Sequence, residues 1–81
     1  MSRRDKLIER MRDTPGAIRF AEVAALLRYS GFKLVNRRGS HFTYRSESGM
    51  LIVVVRPHGH QKTCRPGDIR KVLGELGDDE S

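Results

Sequence analysis

Phe32-Lys33-Leu34-Val35-Asn36-Arg37-Arg38, His41-Phe42-Thr43-Tyr44-Arg45-Ser46 and Met50-Leu51-Ile52-Val53-Val54-Val55 follow one another closely. Only Gly39-Ser40 and Glu47-Ser48-Gly49 separate them. These runs are rich in β-branched and aromatic residues and bounded by turn formers, so each reads as a strand. Parallel neighbours need a crossover of a dozen or more residues, so connections this short specify an antiparallel three-stranded meander. In the middle strand the period of two sends Phe42 and Tyr44 to one face and His41, Thr43 and Arg45 to the other. The aromatic pair is expected to pack inward, leaving His41 outward. The third strand is apolar on both faces, so either both are covered or one is an interaction surface.

Helical patterns flank this sheet. Arg3–Arg12 carries Leu7, Ile8 and Met11 on one side, and Asp13-Thr14-Pro15-Gly16 ends it. Phe20, Val23, Ala24 and Leu27 then follow the i, i+3, i+4, i+7 pattern, predicting a helix over Phe20–Tyr29. No strong N-cap residue precedes it, while Gly31 is placed to close it in the left-handed conformation. Pro66 suits the first turn of a last helix, striped by Ile69, Val72, Leu73 and Leu76. The order α-α-β-β-β-α specifies an α+β sandwich with helices on one face of the sheet. At 81 residues the chain is read as a single domain, 1–81. It divides into an additional N-terminal helix over 1–13, a core over 20–76 and an acidic tail over 77–81.

Charge narrows the partners. Residues 1–74 hold sixteen basic against six acidic side chains, net +10, while the last seven residues carry −4. A small body this basic attracts polyanions, and nucleic acid is the natural one. No helix pairs a long apolar face with a basic one, which argues against a membrane surface. No run approaches a membrane span, and no apolar signal-peptide core follows the basic N-terminus. The lone Cys64 cannot form an internal disulfide and fits the cytoplasm.

His41 is the leading catalytic candidate. RNA cleavage without a metal needs a base for the 2′-hydroxyl proton, an acid for the leaving 5′-oxygen and cations for the phosphate. An imidazole can serve either proton step, and Arg38 or Arg45 can supply charge. A single exposed histidine among arginines equally describes a phosphate contact, and chemistry by itself favours that reading. His58, His60 and Cys64 are zinc-binding types, but no second cysteine exists to complete a structural site. They read first as ordinary loop histidines and a packing cysteine. Lys33, Arg37, Arg38 and Arg45 on the sheet, with Arg56, Lys62 and Arg65 around the histidine loop, could converge on the outward face. Aromatics are few and look committed to the core, apart from Tyr29, so base stacking is not expected to dominate.

A helix ending in Gly31-Phe32, the Gly39-Ser40-His41 turn, the hairpin, and Pro57-His58-Gly59 leading to Arg65-Pro66-Gly67-Asp68-Ile69 resemble the HicA toxins of bacterial toxin–antitoxin pairs. The resemblance spans roughly Phe20 to Leu76. It implies a double-stranded-RNA-binding-domain-like fold, α-β-β-β-α, here with an extra N-terminal helix. It further implies an mRNA endoribonuclease without metal or other cofactor, and a HicB-type antitoxin that covers the active site. The family's catalytic histidine falls on His41 and its associated glycine on Gly39. The expected RNA-binding set is Gly39, Ser40, Arg37, Arg38, Arg45, His58 and Lys62. Two departures stand out. The first helix precedes the family's minimal fold, and Thr63-Cys64 replaces an acidic-apolar pair found in many members.

Two other readings use the same residues. In one, the basic face binds RNA without cutting it, and His41 is only a contact. In the other, the apolar third strand is the centre of a protein-interaction surface.

Overall fold

Three helices and three strands make up the computed structural model, which describes residues 2–77; of the expected acidic tail, residues 78–81 lie outside the described residues. Helix α1 spans Arg3–Asp13 and begins where the Ser2 hydroxyl accepts a hydrogen bond from the Asp5 amide, 3.1 Å. Asp5 in its first turn and Arg10 and Arg12 in its last match the helix dipole. A 3₁₀ turn over Pro15–Ala17 leads to α2, Phe20–Tyr29, the range expected from its apolar stripe. The cap that the local sequence did not reveal comes from inside the helix: the Glu22 carboxylate accepts from the Arg19 amide at 3.0 Å. Gly31, at φ 88°, takes the left-handed turn out of α2.

The strands are β1 Lys33–Arg38, β2 His41–Arg45 and β3 Leu51–Val55, in sheet order β1-β2-β3 and antiparallel throughout. Each is shorter by one terminal residue than its hydrophobic run. A register shift between Leu34 and Asn36 leaves Val35 as an extra residue in β1. Helix α3, Pro66–Glu75, closes the fold. The architecture is α+β, with the order expected from the double-stranded-RNA-binding-domain-like fold.

The core lies between the sheet and the helices. Phe42, Tyr44, Ile52 and Val54 are buried from the sheet, against Val23, Leu26 and Leu27 of α2 and Ile69, Val72 and Leu73 of α3. Helix α1 is part of this core, burying Ile8 and leaving Met11 with 0% exposure. The Arg10 guanidinium pins α1 to its neighbour through Glu22 Oε2 at 2.6 Å and the Ala17 carbonyl at 3.0 Å. On the far face of the sheet, Leu51, Val53 and Val55 are 56%, 46% and 39% exposed, so one side of β3 is bare. Among the described residues, no helix is long and apolar enough to cross a membrane.

Candidate functional site

His41 opens β2 immediately after a two-residue turn. Gly39 holds φ 59° there, a left-handed conformation that L side chains rarely adopt, although the space around it is open. The turn starts β2 in the register that buries Phe42 and Tyr44 and exposes His41. Arg38 of β1 and Val55 of β3 are its cross-strand partners.

The antiparallel order brings the end of β3 beside the start of β2. One step past the strand, the Arg56 amide donates to the Ser40 carbonyl at 2.7 Å. That bond holds Arg56-Pro57-His58 against the His41 turn. The loop is fastened again at its other end, where the Cys64 amide donates to the Ile18 carbonyl at 2.7 Å. Pro66 then starts α3, with Asp68 in its first turn. Between these elements lies a cleft of about 310 Å³, lined among others by His41, Arg56, His58, Gln61, Arg65 and Asp68. Its size is near the lower end of the range for small-ligand sites.

Two fixed guanidinium charges and one carboxylate make this cleft favourable to an anion. Thr63 and the buried Cys64 complete part of its lining. Burial, with the nearby Asp68 and Glu22 carboxylates, pushes the Cys64 thiol up to about 11. Such a thiol stays protonated near neutrality and is a poor nucleophile, consistent with a packing role. Among the described residues, no group of three His, Cys, Asp or Glu side chains could hold a metal ion.

Not all the sequence-derived candidates gather here. His41 and His58 line the cleft, Gly39 and Ser40 form the adjoining turn, and Arg38 flanks His41 across the strand pair. Arg37 pairs with Phe42, and its guanidinium sits 5.1 Å from that ring's centroid. Arg45 shares the His41 face but is four residues along, about 13 Å away at the usual strand rise. It borders a second groove with Lys33, Ser46 and Glu47. Lys62 is exposed in the loop, and neither it nor His60 lines the cleft. Gln61, Thr63 and Asp68 were not anticipated, although a meander obliges the β3–α3 connection to pass the start of β2.

The family described as HicA toxin of bacterial toxin-antitoxin matches residues 20–77. The chain belongs to the HicA toxin family. It is therefore the toxin side of a bacterial toxin–antitoxin pair, with a cognate antitoxin as partner. Comparison with curated proteins and with solved structures gives no match. The HicA match begins at the first residue of α2 and takes in every residue of the cleft, leaving α1 outside it.

Proposed function

We propose that this HicA-family chain is an endoribonuclease that cleaves mRNA in single-stranded regions, without a metal, through proton transfer by His41. The observation that carries this reading is the placement of His41 on the central strand, exposed, in a cleft it shares with Arg56, Arg65 and His58. A 2′-hydroxyl attacking the adjacent phosphorus loses its proton as the new O–P bond forms. The bond to the 5′-oxygen breaks, and that oxygen takes up a proton. The products are a 2′,3′-cyclic phosphate and a free 5′-hydroxyl. An imidazole moves a proton in one of these steps, while the cleft guanidinium groups neutralise charge growing on the phosphoryl oxygens. Arg38 lies beside His41 and orients the strand. Arg45 and Lys33 hold phosphates further along it, and Gly39, Ser40 and Lys62 contribute contacts around the turn and loop.

The proposed HicB-type antitoxin covers the cleft together with the bare β3 stripe Leu51-Val53-Val55, which lies on the same face as His41. Both partners place the chain in the cytoplasm. Cleavage is tested with a long RNA in EDTA, comparing the purified protein with His41→Ala. Cleavage by the wild type alone, leaving cyclic phosphate ends, supports the reading; products with only 5′-phosphates exclude it.

A second reading, RNA binding without cleavage, is favoured by one observation. Lys33 and Arg45 line a groove remote from His41, with Glu47 beside them. A second pair of cations away from the cleft suits a binding face more than a single reaction centre. Retention of RNA without cleavage in the same assay selects it.

A further inference from the structure

We propose that His58 is the second proton-transfer group of this cleft, so that His41 and His58 divide the two proton steps of RNA cleavage between them. The inference rests on the nuclease reading above and extends it. Strand transfer at phosphorus needs one group to remove the 2′-hydroxyl proton and another, already protonated, to supply the 5′-oxygen. His41 cannot serve both ends of an in-line displacement at once. The second group must face the same space from another direction.

His58 meets that requirement. It reaches the cleft from the β3–α3 loop, whereas His41 reaches it from the start of β2. Both ends of the loop are fastened by 2.7 Å backbone hydrogen bonds, Arg56 to Ser40 and Cys64 to Ile18. The other lining groups are less suited. Arg56 and Arg65 offer hydrogen-bond donors only, with no acceptor for the 2′-hydroxyl proton. Gln61 and Thr63 do not titrate near neutrality, and the Cys64 thiol is buried. Asp68, at the start of α3, is suited as a carboxylate to accept a hydrogen bond from an imidazole. An imidazole is the side chain that both takes and gives a proton near neutrality.

The step balances without a co-reactant. One neutral imidazole takes the 2′-hydroxyl proton as the 2′-O–P bond forms, and the other, as imidazolium, gives its proton to the 5′-oxygen as the P–O5′ bond breaks. The charged and titratable groups that share the cleft with the pair are Arg56 and Arg65 on either side of the loop, Cys64, and Asp68 on α3. Arg38 is paired with His41 across the strand.

The test compares wild type, His41→Ala, His58→Ala, His58→Gln and His60→Ala on a short RNA and on the same RNA with sulfur replacing the bridging 5′-oxygen. A thiolate leaves without protonation, so the sulfur substrate bypasses the general acid. Each variant at 41 or 58 is expected to lose about 10²–10⁴-fold on ordinary RNA, with His60→Ala unchanged. One of the two alanine variants, and not both, regains most of its rate on the sulfur substrate. His58→Ala and His58→Gln each lose one limb of the bell-shaped pH profile while binding 2′-O-methyl RNA within a few-fold of wild type. Wild-type cleavage by a folded His58→Ala, substantial rescue by His58→Gln, or an unaltered bell overturns the proposal and leaves the nuclease reading standing. No cleavage by the wild type overturns both.

Discussion

The Arg56 amide donates to the Ser40 carbonyl at 2.7 Å, one position beyond the end of β3. The bond joins the turn before His41 to the segment carrying His58, so the two walls of the cleft share one backbone rung. A site built this way depends on the meander as a whole rather than on a local motif.

His41→Ala is expected to slow RNA cleavage by about 10²–10⁴-fold and relieve growth arrest while leaving the fold intact, because the side chain is exposed and makes no core contact. Thermal unfolding and a growth assay after induction check both halves. A folded variant with full toxicity refutes the site.

The arginines should separate by position. Arg56→Gln or Arg65→Gln weakens binding of uncleavable RNA and reduces the salt slope of log K by about 1 each. Arg45→Gln weakens binding similarly but leaves the rate at saturating RNA near wild type. Arg37→Gln lowers stability instead, by about 0.5–1 kcal/mol, through loss of its contact with Phe42. Fluorescence titration across salt concentrations, paired with urea unfolding, distinguishes these effects.

Although α1 lies outside the family match, Met11→Ala is expected to cost about 2–5 kcal/mol, since its side chain is fully enclosed. Urea unfolding reads this directly. A loss below about 1 kcal/mol indicates that α1 is not part of the cooperative core.

Burial works against the Glu22 carboxylate, but hydrogen bonds from the Arg10 side chain and the Arg19 backbone outweigh it and hold the carboxyl below its ordinary range. The lowered native pKa stabilises the fold above the ordinary carboxyl pKa. That contribution is lost as the pH falls through the native value. Wild type should therefore lose more stability than Glu22→Gln on acidification through and below the usual glutamate range. Parallel slopes for the two proteins contradict this linkage.

Cys64, with its thiol pushed up to about 11 and its side chain buried, should resist iodoacetamide near neutrality. Unfolding in urea should speed the reaction by at least an order of magnitude. Equal native and unfolded alkylation rates place the thiol at the surface.

Much of the architecture was readable locally. The stripe Phe20, Val23, Ala24 and Leu27 located α2, Pro66 marked the start of α3, and alternation placed Phe42 and Tyr44 inside. Facing is a local property, whereas position along a strand and the path of a loop are tertiary. Alternation thus put His41 and Arg45 on one face without keeping Arg45 out of the cleft. It could not show Asp68 and Gln61 arriving from the β3–α3 connection. The start of α2 was obscure for a similar reason: Glu22 caps it from three residues downstream rather than from the usual preceding position.

The Cys64-to-Ile18 hydrogen bond ties the loop behind the cleft to the linker after α1, next to the Ala17 carbonyl held by Arg10. Opening that loop therefore disturbs the seam joining the N-terminal helix to the family core. The Cys64 amide becomes a single exchangeable proton that monitors both events, and weakening α1 should hasten its exchange with solvent deuterium. The helix outside the family match and the loop that bounds the cleft are thus tied to adjacent residues, Ala17 and Ile18.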